Sequence, residues 1–343
     1  MKPVFLDMVG NRALLDRVAN DLLTQKLSHA YVLEGPRGSG KHMLAARIAA
    51  AIACEQKEDP RAALPCMHCV QCRKVFDGNS PDVIYINREE KASIGVDAIR
   101  FLKSDVLIPP NDISAKIYII EEAHLLTEQA QNALLLTLEE PPPYVLFLLL
   151  CESTATLLET VRSRSQTLRL EPIPIEAIDR AITLQSPDAV QLKKTNEKEY
   201  FEVLAAADGN IGKAISLLNP KTRQPILNQR ANTRELIRLM SSRKNSALSM
   251  RFLKKLPQKR EELIEQMQSF LYCARDLLLF KQTDFAPLCF FSDREEVGEL
   301  SYGFTTPELL LLCQTIEETV GSLQRNANIR LTLTAFATQT GLF

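Results

Sequence analysis

Several features that would fix the class of a protein at once are missing from this sequence. Its net charge is only −1 over 343 residues, so contact with nucleic acid requires a local patch or a larger assembly. No apolar run approaches the roughly 20 residues that span a bilayer, and Tyr144–Cys151 is long enough only for a buried strand. The first residues contain no apolar core of a signal peptide, and repeats and low-complexity tracts are absent. These absences predict a protein without a membrane partner.

The most informative segment that is present is a glycine-rich loop between a short apolar run and an alanine-rich helical pattern. Strand, loop and helix with the spacing GxxxxGK are typical of a nucleotide phosphate site. Glycines let backbone N–H groups converge on one anion, the helix adds its positive dipole end, and lysine neutralises the outer phosphates. We therefore expect ATP or ADP here and a cytoplasmic location; the alternative is a glycine-rich turn without a ligand. The candidate nucleotide-binding residues are Gly35, Arg37, Gly38, Ser39, Gly40, Lys41, His42 and Glu121.

Two positions in this motif depart from the residues that ordinarily hold Mg²⁺. The residue after Lys41 is usually Ser or Thr, whose hydroxyl binds the ion; here it is His42, and a neutral imidazole is a poor ligand for Mg²⁺. The apolar run Ile117–Ile120 ends in two carboxylates, where P-loop NTPases place an acid for the metal and often a glutamate that activates water. The first acid is Glu121 rather than the shorter Asp, and Glu122 is the candidate base. The sequence predicts phosphate binding and argues against metal-assisted hydrolysis.

The cysteines fall into a cluster and a scattered group. The chain has eight, and in a cytoplasmic protein clustered cysteines indicate a metal site rather than disulfides. The scattered members lie in apolar surroundings, which places them in the core: Cys151, Cys273, Cys289 and Cys313. The clustered members follow the spacing C-x11-C-x2-C-x2-C: Cys54, Cys66, Cys69 and Cys72.

This cluster predicts structural Zn²⁺, because four thiolates give a closed tetrahedral site. Pro65 precedes the last three cysteines and suits tight turns around a metal. An iron–sulfur cluster and a reduced, metal-free cluster are the alternatives, and nothing nearby calls for electron transfer. His68 lies between two of the cysteines, where it is sterically awkward as a replacement ligand.

Apolar runs alternate with helical patterns over the first half of the chain, which predicts a parallel sheet covered by helices on both faces. In such a sheet a nucleotide lies at the carboxyl ends of the strands. The predicted strands are Tyr31–Glu34, Val83–Ile86, Lys116–Ile120, Val145–Cys151 and Thr167–Leu170. The predicted helices between them include Arg12–Gln25, Lys41–Ala53 and Gly95–Leu107.

The chain length predicts two or three domains, and prolines mark the expected boundaries. Pro172 follows the last strand, residues 175–219 predict a small helical unit, and Pro220 opens a region of amphipathic helices. The apolar stripes of those helices indicate an ordinary helical core more than an oligomer surface. The clearest of these helices are Gln258–Gln282 and Pro307–Gln324.

With these elements in place, the chain resembles the bacterial DNA polymerase III clamp-loader subunits of the AAA+ class, and most resembles the delta-prime kind. The combination of motifs is specific and is spread over residues 1–220, whereas the later residues match only in helical character and in Asn326–Leu333. The matching segments are SHAY at Ser28–Tyr31, the clustered cysteines, LLLTLEEPP at Leu134–Pro142, VRSRS at Val161–Ser165 and GNIGKA at Gly209–Ala214.

The resemblance implies an α/β P-loop core with a RecA-like parallel sheet at residues 1–171, a helical lid at 172–220 and an all-α collar at 221–343. It implies an open pentamer with gamma/tau and delta subunits, which uses ATP to load a sliding clamp onto primer–template DNA. A delta-prime subunit is mainly a stator that offers an arginine finger to its neighbour's ATP, and Arg164 matches that arginine. The family's next residue is cysteine; here it is Ser165.

Other matched positions favour the delta-prime kind over the gamma kind. Motor subunits keep a lid arginine that touches their own nucleotide, and Gly212 occupies that position here. They also keep a threonine at or next to the position of Glu152, and a glutamate there repels phosphate. Together with His42 and Glu121, these differences predict weak or absent hydrolysis by this chain.

Two further functions stay open at this stage. A gamma-like ATPase motor is supported by Lys41 and Glu122, and an AAA+ regulator or helicase loader outside the polymerase would share the same core. The cysteine cluster, together with the VRSRS motif, argues against the second of these. Arg164 also has a plainer interpretation, a surface arginine paired with a local acid.

Overall fold

The computed structural model describes residues 4–242, 256–283, 288–291 and 293–340. Over these residues the chain forms two compact units. The first comprises the described residues up to Ala177 together with Asn210–Gly212. The second comprises Ile178–Gly209 and the described residues from Lys213 onward, and its described residues contain helices and no strand.

Five strands form one sheet in the first unit. They are Ala30–Glu34 (β1), Val83–Ile86 (β2), Lys116–Ile120 (β3), Val145–Cys151 (β4) and Gln166–Arg169 (β5). Their spatial order is β2-β3-β4-β1-β5, and every pairing is parallel. All residues of β1, β3 and β4 are buried, as expected for apolar strands covered on both faces.

Helices cover the two faces of this sheet and form two separate apolar cores. One core contains Leu33 of β1 with Leu44 and Ile48, and the other contains Val32 of β1 with Leu134. Adjacent β1 residues thus point to opposite faces, which is the period of a strand. The helices of this unit are Arg12–Leu23 (α1), Lys41–Ala53 (α2), Val70–Phe76 (α3), Val96–Asp105 (α4), Glu128–Glu139 (α5) and Glu159–Arg162 (α6), with 3-10 turns at Ala123–Leu125 and Thr154–Thr156.

The second unit is held together by an apolar core and by buried polar groups. The carboxylate of Asp276 accepts hydrogen bonds from the backbone N–H groups of Cys289, Phe290 and Phe291. Burial raises the pKa of Asp276 in spite of these bonds. Over the rest of the described residues the helices are Ile175–Gln185, Pro187–Thr195, Glu197–Ala207, Ile211–Leu218, Pro220–Ser242, Arg260–Gln282, Arg294–Ser301, Thr306–Gln324 and Ile329–Gln339.

The predicted fold class is confirmed in its architecture: a parallel sheet with the glycine-rich loop after β1, followed by helices. Three strands have the predicted bounds, whereas β1 begins one residue earlier and β5 is shifted by one. The hydrogen-bonded ladder between β1 and β5 ends at the pair Glu34 and Arg169. The end of β1 therefore determines where β5 ends, one residue before the predicted Leu170. Helix α1 ends before its predicted last residue, because Gln25 takes a left-handed backbone conformation. The division into core, lid and collar stays a prediction.

Candidate functional site

The glycine-rich loop joins β1 to α2 at the carboxyl end of the sheet. Gly38 (φ 82°) and Gly40 (φ 96°) take left-handed backbone conformations, which are costly for residues with side chains. Gly40 is also the N-cap of α2, so the free N–H groups of the first helical turn face the loop. This is the backbone arrangement that binds phosphate in P-loops.

Lys41, the first residue of α2, is 6% exposed. Its Nζ donates hydrogen bonds to the carbonyl oxygens of Gly35, at 2.6 Å, and Pro36, at 2.8 Å. Burial lowers the pKa of this ammonium group, and the nearby charge of Glu152 opposes that effect. The loop's own carbonyl groups therefore hold the lysine at the position from which P-loop lysines reach a nucleotide.

A cleft of about 250 Å³ opens at the carboxyl ends of β1, β3 and β4, where ligands bind in parallel α/β sheets. We call it the nucleotide cleft. Gly35, Ser39 and Gly40 lie in the adjoining loop but do not line it. The motif spacing did not predict His124, which enters the lining from the 3-10 turn after β3. The lining residues are Arg37, Gly38, Lys41, His42, Glu121, Glu122, His124, Leu150 and Glu152.

The two residues that replace the ordinary Mg²⁺ ligands contact each other. Nδ1 of His42 and Oε1 of Glu121 lie 3.2 Å apart, and Oε2 of Glu121 accepts a hydrogen bond from Asn87 at 3.3 Å. The hydrogen bond from His42 is the main cause that lowers the pKa of Glu121, while burial acts in the opposite direction. Mg²⁺ demands near-ideal octahedral coordination, dominated by oxygen. An imidazole in place of a hydroxyl, already bonded to the nearby carboxylate, does not fit that ion.

Glu122, the candidate base, is also paired within the protein. Its backbone is left-handed (φ 50°, ψ 45°), and its Oε2 lies 3.0 Å from Nε of Arg88. Arg88 was not predicted, and its position two residues after β2 carries no motif. A general base must reach the proton that it abstracts, so this ion pair has to open before Glu122 can activate water.

Residues 210–212 pack on the glycine-rich loop within the first unit. Nδ2 of Asn210 donates to the carbonyl oxygen of Arg37 at 2.5 Å. A Cβ atom on Gly212 would lie 2.9 Å from the carbonyl oxygen of Gly38, and a Cβ on Gly38 would lie 2.7 Å from Oδ1 of Asn210. Neither position accepts a side chain without movement of its neighbours. An arginine at position 212, as in the motor subunits, would require the loop to shift.

Arg164 lies in the turn between α6 and β5, outside the nucleotide cleft. Its guanidinium contacts Oε1 of Glu139 at 2.5 Å and the carbonyl oxygen of Thr160 at 3.1 Å. The side chain is 34% exposed, so part of it faces solvent. Oγ of Ser165 donates to the carbonyl oxygen of Val161 at 3.0 Å, which keeps this turn closed without a cysteine. The local ion pair is therefore present in this chain, and a role in trans stays a prediction.

The four clustered cysteines, which we call the tetrathiol cluster, converge as predicted. Their Sγ atoms all lie within 4.8 Å of one another and all four residues are buried. The Sγ atoms of Cys66 and Cys72 are 3.9 Å apart. Two ligands of a tetrahedral zinc site with Zn–S bonds of about 2.3 Å lie roughly 3.8 Å apart. The geometry therefore fits a closed four-thiolate metal site.

Backbone donors prepare this cluster for thiolate charge. The N–H of Cys69 donates to Sγ of Cys66, and the N–H of Cys72 donates to Sγ of Cys69, both at 3.4 Å. Burial opposes ionisation of Cys66, but the backbone N–H groups of His68 and Cys69 lower its pKa to about 6. Burial raises the pKa of Cys54 and Cys72. Nδ1 of His68 lies 2.7 Å from the carbonyl oxygen of Cys66, so that ring nitrogen is engaged with the backbone.

Loop, sheet and cleft together define a P-loop α/β protein with an altered Mg²⁺ position and a tetrathiol cluster. Residues 10–174 match the family model described as "DNA polymerase III, delta subunit". The chain is 33% identical over 290 residues to DNA polymerase III subunit tau of Bacillus subtilis. That alignment covers 81% of this chain and 50% of the relative. It is 33% identical over 215 residues to subunit tau of Escherichia coli, covering 62% of this chain and 32% of the relative. These matches support the clamp-loader family.

The chain thus spans half of the first relative and about a third of the second. Among solved structures, a gamma subunit-related protein of DNA polymerase III from Thermotoga maritima aligns over 95% of this chain and 99% of its own. The TM-score of that alignment is 0.41 and the identity 18%. Within the described residues, each helix is too short or too polar to span a bilayer.

Proposed function

We propose that this protein is a subunit of the DNA polymerase III clamp loader, of the delta-prime kind. In this role it acts as a stator, hydrolyses ATP weakly or not at all, and offers Arg164 to the ATP of a neighbouring subunit. It assembles with gamma/tau and delta subunits in a cytoplasmic pentamer. That pentamer loads the sliding clamp onto primer–template DNA.

The observation that carries this proposal is the contact between His42 and Glu121. In a working P-loop ATPase these two positions hold Mg²⁺, which bridges the phosphates and neutralises the charge that develops on them. Here an imidazole and a carboxylate bond to each other, and the neighbouring candidate base Glu122 is paired with Arg88. The loop keeps the features that bind phosphate and lacks those that favour hydrolysis. A subunit with such a site contributes to the machine through its shape and through Arg164, which is partly exposed.

We further propose that the tetrathiol cluster holds Zn²⁺ as a structural ion. Convergence of four buried sulfurs and the absence of an open ligand position support a closed site. Sγ of Cys72 also lies 3.6 Å from the carbonyl oxygen of Ala50 in α2. The metal would therefore fasten the segment of residues 54–72 to the helix that begins at the glycine-rich loop.

The proposed action of Arg164 on the ATP of a neighbouring subunit is tested in the assembled clamp loader. The variant Arg164→Ala should fold normally and lower ATP turnover of the complex with clamp and primed DNA by about tenfold or more, since an arginine finger stabilises charge at the γ-phosphate. The matched control is Arg162→Ala, which removes an exposed guanidinium two residues earlier, at the end of α6. Equal turnover of the Arg164→Ala complex and the unmodified complex would rule out the finger, provided that both assemble to the same extent.

A gamma-like motor is the second candidate, because the relatives named above are tau subunits and Lys41 is retained. The two candidates differ in the ATP turnover of the isolated chain. A motor shows turnover that Lys41→Ala abolishes, whereas the stator proposal expects turnover at background level in both proteins.

A further inference from the structure

The nucleotide cleft contains a donor set that is better suited to a transition metal than to Mg²⁺. Nδ1 of His42 and Oε1 of Glu121 lie 3.2 Å apart at its edge. Adjacent ligands around an octahedral ion with bonds of about 2.1 Å lie roughly 3 Å apart. A single ion can therefore bind both atoms with little movement of either side chain. Imidazole is a ligand for first-row transition metals, whereas Mg²⁺ prefers carboxylate, carbonyl and water. Among the transition metals Mn²⁺ shares the preference of Mg²⁺ for oxygen ligands and also accepts an imidazole nitrogen, which fits a set of one imidazole, one carboxylate and phosphates.

The charges in the cleft also call for a cation when a nucleotide binds. Three carboxylates line the cleft against two cationic side chains. One of those cations, Lys41, is bonded to carbonyl groups of its own loop. A nucleotide adds several negative charges next to Glu121 and Glu152, and like charges at such distances repel. A divalent ion between the phosphates and Glu121 offsets this repulsion.

The protein alone does not complete a metal site in the cleft. Within the described part of the chain, only the tetrathiol cluster brings three or more candidate side chains close enough to hold an ion. The phosphates must therefore supply the other ligands of an ion bound by His42 and Glu121. His124 lines the same cleft, and its Nδ1 is buried without a hydrogen-bond partner among the described residues.

We propose that the cleft binds nucleotide together with a divalent transition-metal ion of the Mn²⁺ class, held between His42 and Glu121, in preference to Mg²⁺. This inference rests on the proposed nucleotide binding and is independent of the trans role of Arg164. It assigns His42 a positive role: the residue that disfavours Mg²⁺ becomes a ligand for a different ion.

Mn²⁺ is the probe of choice, because thiolate ligands select softer metals and the tetrathiol cluster should not compete for it. The isolated chain, with its native metal retained, is titrated with Mn²⁺ at saturating ADP while free Mn²⁺ is followed by electron paramagnetic resonance. Mg²⁺ is then added as the competitor. The proteins compared are the unmodified chain, His42→Thr, and the control Glu317→Gln, which changes an exposed carboxylate of the second unit.

In His42→Thr the preference for Mn²⁺ over Mg²⁺ should fall about tenfold, the usual lower limit for loss of a metal-supporting group. Glu317→Gln should keep the preference of the unmodified chain. Because the phosphates are common to all three proteins, the difference reports the imidazole. Spin-echo modulation from a coordinated imidazole nitrogen should appear in the unmodified chain with Mn²⁺ and ADP, and it should be missing in His42→Thr.

An equal preference in the unmodified chain and His42→Thr would overturn the proposal, and so would a spectrum without nitrogen modulation in the unmodified chain. The spectroscopic result does not depend on whether the variant folds. Failure of ADP to bind with either metal or in EDTA would also overturn it. None of these outcomes bears on turnover of the assembled loader, so the arginine-finger proposal stands or falls separately.

Discussion

The tetrathiol cluster and the nucleotide cleft lie in the same unit but differ in what satisfies their polar groups. In the cluster, four buried sulfurs converge within 4.8 Å, as in a four-thiolate metal site, and a bound metal ion would offset the charge of the thiolates. In the cleft, four of the lining side chains are already bonded within the protein: Lys41 to loop carbonyls, His42 to Glu121, and Glu122 to Arg88. The cluster should therefore depend on its ligand for folding, whereas the cleft should keep its shape when empty.

The largest expected effect of this contrast is in the cluster. Cys69→Ser should destabilise the protein by several kcal/mol, because a structural metal contributes its binding energy to folding and Cys69 also accepts the N–H of Cys72 at the start of α3. Chemical denaturation and metal content by elemental analysis are the measurements. The control Cys313→Ser changes a partly buried thiol outside the cluster and should cost about 1 kcal/mol, the usual effect of a single substitution.

The expected dependence of the tetrathiol cluster on metal would be contradicted if Cys69→Ser were as stable as the unmodified protein and no zinc were found in either. The cluster would then be a set of reduced thiols with an ordinary packing role. Finding iron with acid-labile sulfide in place of zinc would keep the dependence on metal and change its identity.

A smaller effect is expected where residues 210–212 close on the glycine-rich loop. Replacing a helical glycine by alanine normally stabilises by about 1 kcal/mol. Gly321, inside the helix Thr306–Gln324, has room for a Cβ, because the nearest atoms outside the helix backbone belong to the guanidinium of Arg325, 3.9 Å away. At Gly212 the Cβ meets the backbone oxygen of Gly38 at 2.9 Å. Gly321→Ala should therefore stabilise the protein against unfolding. Gly212→Ala should instead destabilise it by about 1 kcal/mol, within the usual range for overpacking, because the steric cost exceeds the gain in helix propensity.

Urea denaturation of the two alanine variants measures this difference, and ADP calorimetry shows whether the loop moves. Equal stabilisation by both substitutions would mean that the loop yields to the added methyl group without cost. In that case the packing of Asn210 and Gly212 on the loop would not explain why this chain has glycine at position 212.

The contrast also separates what sequence predicts from what it leaves open. The spacing of the four cysteines contains the whole ligand set, so the tetrathiol cluster was predicted residue by residue. The buried strands were predicted because uninterrupted apolar runs fit a sheet covered on both sides. The pairing partners in the cleft were not predictable: Arg88, Asn87 and Asn210 come from other elements and carry no motif. Only the tertiary fold brings such residues together, so the sequence indicated which groups replace the metal ligands without showing that they bind each other.

The smallest expected effect concerns the contact between His42 and Glu121. His42→Ala should raise the pKa of Glu121, because the hydrogen bond from His42 is the main cause of its lowered value. A carboxyl group whose pKa is lowered on folding contributes stability above its unfolded pKa, and that stability is lost as the pH falls through the folded pKa. Since the imidazole is 59% exposed, the variant should be less stable at pH 7 by only about 0.3 kcal/mol, the scale of an exposed pair. The two proteins should converge in acid.

Carbon-detected NMR titration of the Glu121 carboxyl group, with urea denaturation at pH 7 and in acid, measures both parts of this effect. The control Arg88→Ala opens the ion pair of the adjacent Glu122 and should leave the titration of Glu121 in place. If His42→Ala left the Glu121 titration unchanged, the imidazole would not be bonded to that carboxylate in solution. The pairing of His42 with Glu121 would then not explain how the empty cleft satisfies these two side chains, and the contrast with the tetrathiol cluster would fail.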